Sequence, residues 1–205
     1  MSFIALFGGV FGHAQDCDLL VDAAWQLKNH PDVTFIFAGG GPAYSRVAEK
    51  VRLQALSRVI LLPFLAPTEY HRLLAQAGCG LATLKAGVAS IPSKLWVYMA
   101  FGIPVVAALP PGVAASMIQE SGGGIRVPTG DVDGFANAIA RLAEFPKIRC
   151  EMAQNARKYA EQYLSVDRAI EDWERLLVEL VRGSQTHGSE GSRGTGRAGD
   201  DDSVV

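Results

Sequence analysis

Cysteine is scarce in this sequence. Cys17, Cys79 and Cys150 stand far apart, and no CxxC occurs. An odd, dispersed set disfavours a disulfide framework or a zinc knuckle and fits reduced thiols, so the expected setting is cytoplasmic. Positive charge is not in excess either: 19 Lys and Arg against 21 Asp and Glu give a formal net charge of −2. Nothing in that balance neutralises a phosphate backbone in bulk, and nucleic acid is not an expected partner. No apolar run reaches the roughly 18 residues of a membrane span. The apolar start, residues 1–11, has no basic flank and breaks on Gly8, Gly9 and Gly12, so it reads as a buried strand rather than a signal peptide. The four histidines do not cluster as metal ligands. No G-x-S-x-G elbow presents a serine nucleophile. Neither a metal nor a cofactor is expected.

What is present is a chain of 205 residues with 49% in the hydrophobic class, enough for one core of ordinary size or two small ones. Short apolar runs predict strands at 3–7, 33–38, 58–62, 80–84, 104–108 and 124–127. Helical periodicity predicts helices over 16–29, 43–56, 92–101, 114–120, 132–143, 146–163 and 166–182, and a short one capped by Thr68. Asp131 and Ser165 are N-cap candidates, because their oxygens can accept from first-turn N–H groups. Strands separated by helices imply right-handed βαβ units and a parallel sheet. Strands apolar throughout imply burial on both faces. The expected fold is a single Rossmann-like, doubly wound α/β sheet over residues 1–182. The remainder, 183–205, is Gly, Ser, Thr and charge, ending in Asp200-Asp201-Asp202, and is expected to be a disordered tail.

In such folds ligands sit at the carboxyl ends of the strands. After the first strand comes Gly8-Gly9-Val10-Phe11-Gly12-His13-Ala14-Gln15, which suits close backbone approach to a ligand and equally a tight strand-to-helix turn. Its glycines do not have the G-x-G-x-x-G spacing of a dinucleotide site. After the second strand comes Gly39-Gly40-Gly41-Pro42, and after the third Pro63-Phe64-Leu65. Phe64 could wall a base pocket or be a core residue. Before the next long helix stand Ser90-Ile91-Pro92-Ser93-Lys94. A cation in the first turn opposes the helix dipole unless an anion sits nearby. Lys94 therefore points to a ligand phosphate, with Ser93 able to donate to the same group; an ordinary exposed lysine is the alternative.

These segments, together with IPSKLWVYMAFGIPVVAA, ESGGGIRVPTGD and the closing AIEDWERLL helix, resemble the C-terminal domain of GT-B glycosyltransferases. More narrowly, the chain is similar to the family 4 retaining enzymes that build bacterial surface polysaccharides. The resemblance spans about residues 3–180 and is most specific in the PSKL…YMA.G.PVV segment. It implies a domain that binds a nucleotide-diphosphate sugar. The Gly39-Gly40-Gly41-Pro42 turn and Pro63-Phe64 would surround the base. Ser90, Ser93 and Lys94 would face the diphosphate and sugar, and Gly9, Gly12 and Gln15 the phosphates from the other side. Two glutamates of the family pattern are replaced here by Ala89 and Val97, and the first loop offers no cation but His13. No catalytic residue is identified.

The resemblance further implies a glycosyltransferase that moves sugar to a lipid-linked or glycan acceptor. It would need a separate acceptor-domain chain as partner and would associate peripherally with the inner face of the membrane through that partner or the acceptor. Trp173, Leu176, Leu177 and Leu180 would then be an apolar stripe left for that partner; packing on the chain's own sheet is the alternative. A non-catalytic regulatory or remnant glycosyltransferase-like module is the competing reading, favoured by Ala89 and Val97. A nicotinamide-dependent oxidoreductase ranks below both, because the second strand ends in glycines where that class needs an acidic residue.

Overall fold

The computed structural model describes residues 3–187 and divides into two units, residues 1–164 and 165–205. In the first unit, apolar β-rich runs form β1 (Phe3–Val10), β2 (Val33–Gly40), β3 (Val59–Leu62), β4 (Cys79–Thr83), β5 (Val105–Ala108) and β6 (Gly124–Val127). Between and after them come α1 (Cys17–Gln26), α2 (Tyr44–Leu53), α3 (Pro67–Leu74), α4 (Ser93–Ala100), α5 (Val113–Ser121), α6 (Val132–Glu144) and α7 (Pro146–Tyr163). All six strands are parallel, in the order β3-β2-β1-β4-β5-β6. The expected doubly wound sheet is the fold observed.

Alternate residues of each strand point to opposite faces, so an uninterrupted apolar run feeds two cores. Phe7, Phe37, Leu81 and Val106 pack with Leu20, Val47, Phe135 and Ile139 on one face. Leu6, Ala82 and Val105 pack with Leu95, Met99, Met117 and Ile118 on the other. Burying each such side chain contributes about 1.5–3 kcal/mol.

Several boundaries differ from expectation for physical reasons. β1 and β2 run on through their glycines, in register from Phe3–Val33 to Val10–Gly40. Gly39 tolerates this because its φ is +145° and because a Cβ there would overlap the Gly9 carbonyl oxygen. Thr68 does not cap α3. Pro67 opens the helix, and Glu69 Oε2 accepts from the Ala66 N–H at 3.2 Å. Asp131 and Ser165 do cap, accepting from Gly134 N–H at 2.8 Å and Arg168 N–H at 3.2 Å.

The second unit holds α8 (Val166–His187), on which Trp173, Leu176 and Leu177 are exposed. The helix takes in the first five residues of the expected tail; the rest of that tail lies outside the described residues.

One contact prepares the functional corner. β1 pairs with β4 only at Ala5–Cys79 and Leu6–Gly80. Beyond that point the strands part, and the β4-facing edge of β1 needs other partners. Tyr98 of α4, fully buried, supplies them: its hydroxyl accepts from Gly8 N–H at 2.9 Å and donates to Leu6 O at 3.2 Å. Tyr98→Phe would leave the Gly8 N–H without this acceptor. It is expected to cost about 1–3 kcal/mol, read as a lower midpoint in urea denaturation with an unchanged slope.

Candidate nucleotide-binding cleft

The strand order reverses between β1 and β4, the switch point at which open α/β sheets bind ligands. A cleft of about 500 Å³ opens there. Its walls come from the ends of β1 and β2, the segment after β3, α3 and the start of α4.

Of the residues singled out in the sequence, Gly9, Gln15, Phe64, Ser90, Ser93, Lys94 and Val97 line this cleft. The others do not, and each has a local task. Gly12 N–H donates to Gln15 Oε1 at 3.1 Å, which folds the loop back on itself. Gly39 lies against the Gly9 backbone, and Gly41 packs on the Phe11 carbonyl with φ +134°. Gly40 is covered by Phe64, whose ring would stand 3.0 Å from a Cβ there. Pro63 precedes Phe64, and Ala89 lines a neighbouring cavity. The Gly39–Gly41 segment thus shapes the wall from behind. Phe64 is not a core residue: it is 63% exposed, a flat apolar surface over which a base could stack.

Gly8 opens the loop that the sequence placed near the ligand, and Tyr98 lies in the PSKL…YMA segment, but neither Tyr98 nor Tyr70 was given a role at the site. The Tyr70 hydroxyl shares a hydrogen bond with that of Tyr98, and burial raises the pKa of both phenols. Gly8 lies so close beneath Tyr70 that any Cβ would overlap the ring. The only signal in the sequence is one phenol inside the apolar run Leu95-Trp96-Val97-Tyr98-Met99.

The electrostatics centre on Lys94. Pro92 stands at the N-cap of α4, and no side chain caps the helix. Leu95 N–H donates to Pro92 O at 3.0 Å, and the N–H groups of Ser93 and Lys94 remain available at the positive end of the helix dipole. Lys94 Nζ lies 4.6 Å from the centre of the Phe7 ring. No ion pair involves Lys94 among the described residues. The titratable group acting on it is Cys17, whose thiol burial pushes up to about 11 and so keeps neutral. Burial lowers the Lys94 pKa from 10.5 to about 8. The corner thus holds a half-buried ammonium and the open N–H groups of Ser93 and Lys94, all donors, with no anion paired to them among the described residues. Among the described residues, no group of three His, Cys, Asp or Glu could hold a metal ion, and no helix is long and apolar enough to cross a membrane.

The sign of the pH dependence follows. Between about 8 and 10.5 the unfolded chain keeps the Lys94 proton while the folded one has lost it, so stability rises with pH across that window. Below it the charge destabilises the ligand-free fold. Lys94→Met is therefore expected to stabilise the ligand-free protein at pH 7 by on the order of 1–3 kcal/mol and to flatten that rise, measured by thermal unfolding at a series of pH values.

Comparisons with known proteins bear on the family and the fold. Residues 2–144 match the family described as glycosyl transferases group 1. The chain is 25% identical over 184 residues to the putative colanic acid biosynthesis glycosyl transferase WcaI of Escherichia coli K12, covering 88% of this chain and 43% of that protein. It is 28% identical over 156 residues to the exopolysaccharide phosphotransferase SCO2592 of Streptomyces coelicolor, covering 76% and 16%. The chain spans less than half the length of each curated relative it matches. Among solved structures, Anabaena Alr3699/HepE in complex with UDP superposes with a TM-score of 0.77 at 22% identity, over 87% of this chain and 49% of that one. The C-terminal domain of the group 1 glycosyl transferase LpcC of Francisella tularensis superposes with a TM-score of 0.69 at 18% identity, over 80% and 87%. The fold is that of GT-B glycosyltransferase neighbours, and with a family match across most of the sheet the chain belongs to the group 1 glycosyl transferases.

Proposed function

We propose that this chain is the donor-binding half of a GT-B glycosyltransferase of the family 4, surface-polysaccharide kind. It holds a nucleotide-diphosphate sugar while a lipid-linked or glycan acceptor is presented by an acceptor-binding partner domain outside these residues. Work at the inner face of the membrane, through that partner or the acceptor, belongs to the same proposal. The observation that carries it is the unpaired Lys94 ammonium at the open start of α4, at the switch point of the sheet.

The chemistry follows from what departs. When the sugar leaves, negative charge grows on the diphosphate. Ser93 and Lys94 offer their backbone N–H groups, the Ser93 hydroxyl and the Lys94 ammonium to that charge from fixed positions, so little reorganisation is needed as it develops. The exposed ring of Phe64, seated on Gly40, offers a stacking surface to the base. A bound diphosphate also supplies the counter-charge that Lys94 lacks, and so raises its pKa again.

A second reading, a non-catalytic regulatory module, is favoured by one feature. Val97 presents an aliphatic side chain to the cleft where the family pattern has a glutamate able to bond a ribose hydroxyl.

Calorimetric titration with UDP and GDP tests the proposal: binding is expected to weaken as pH rises from 8 to 10 and to take up protons near pH 8.5, read from the dependence of heat on buffer ionisation. Absence of binding for both at millimolar concentration contradicts it. Lys94→Met should weaken the nucleotide by about 10–100-fold. Val97→Glu should tighten it severalfold if the ribose lies there; an unchanged Kd favours the regulatory reading.

A further inference from the structure

The side chains that line the cleft differ in what they can still bond. Lys94 only donates. Gln15 keeps Oε1 on the Gly12 N–H at 3.1 Å. The hydroxyls of Ser90 and Ser93 turn either way. Val97 has no polar side-chain atom, and among the described residues no Asp or Glu lines the cleft. Tyr70 differs from all of these, because its proton already has a partner.

That partner is fixed by Tyr98. Leu6 O accepts and cannot donate, so Tyr98 Oη gives it the phenolic proton at 3.2 Å. A lone pair of the same oxygen takes the Gly8 N–H at 2.9 Å. With its one proton placed on Leu6 O, Tyr98 meets the Tyr70 hydroxyl as the acceptor. Tyr70 therefore donates inward, to a fully buried phenol, and its own lone pairs are left for a group in the cleft it lines. A ligand that brings a hydroxyl donor finds a fixed acceptor there.

The register of β1 and β2 places this oxygen. Gly8 pairs with Ala38, Gly9 with Gly39 and Val10 with Gly40. Tyr70 covers Gly8, and the Phe64 ring covers Gly40. The two covered positions are two residues and one strand apart, about 7 Å along the sheet and about 5 Å across it. Between them, a Cβ on Gly9 would stand 3.9 Å from Lys94 Nζ. A base stacked on Phe64 and a phosphate held at Lys94 leave the ribose that joins them over this stretch, within reach of Tyr70.

We propose that Tyr70 Oη accepts a hydrogen bond from a ribose hydroxyl of the bound nucleotide, and so supplies the acceptor that Val97 lacks. The inference rests on the donor-binding reading and adds to it a residue that selects ribose over deoxyribose.

Calorimetry on the full chain at pH 7 compares UDP with 2′-deoxy-UDP and 3′-deoxy-UDP, and GDP with its two deoxy forms, for the wild type and Tyr70→Phe. For the better-bound base, the wild type is expected to bind the ribonucleotide roughly fivefold tighter than the form that lacks the bonded hydroxyl. Tyr70→Phe keeps a ring over Gly8 and removes the acceptor. It should weaken the ribonucleotide by that same factor and leave the deoxy form unchanged, so that the preference disappears. Equal binding of the ribonucleotide and both deoxy forms by the wild type overturns the assignment without recourse to any variant, and leaves the donor reading standing. A preference that survives in Tyr70→Phe, with all three ligands weakened alike or not at all, overturns it too. No binding of any nucleotide overturns the donor reading as well.

Discussion

A half-buried ammonium group, beside the positive end of a helix and without a carboxylate paired to it, raises the free energy of the fold that carries it. Lys94 is in that position. Hydrophobic contact along its stem and the face of Phe7, 4.6 Å from Nζ, offset part of the cost. The rest is a standing demand for an anion. A polyanionic ligand would meet the side chain, the first-turn N–H groups and the Ser93 hydroxyl together, which single-charge partners in the protein do not.

The surrounding architecture keeps that corner open. β1 and β4 part after two residue pairs, and Tyr98 bridges the split, accepting from the Gly8 N–H beyond it and donating to Leu6 O at its edge. Tyr70 lies over Gly8 and joins its hydroxyl to that of Tyr98. Cleft and strand edge are thus stabilised by the same side chains, so changes here alter stability and ligand contact together.

Much of this was legible in the sequence. Uninterrupted apolar strands between amphipathic helices specified a doubly wound sheet, and the register of strand ends put Ser90, Ser93 and Lys94 at one edge. Asp131 and Ser165 capped as their side-chain chemistry required. What escaped depended on distant contact. The extension of β1 and β2 through Gly8, Gly9, Gly39 and Gly40 runs against local propensity and is set by pairing between the strands. Tyr98 looks like one more core residue until the β1–β4 split gives its hydroxyl two partners. Phe64 was ambiguous because exposure is a property of the fold, not of the tripeptide around it. Thr68 was misassigned because Pro67 is equally at home in a first turn, and Ala66 has no side chain to announce a cap.

The central claim is that the start of α4 is a diphosphate site, and inorganic pyrophosphate tests it without the complications of base or sugar. In an amide-resolved NMR titration of the full chain at pH 7, the account predicts saturable shifts largest at the Gly9, Ser93 and Lys94 amides, with the Lys94 ammonium signal protected from exchange. Shifts centred elsewhere, or none at millimolar pyrophosphate, would contradict it.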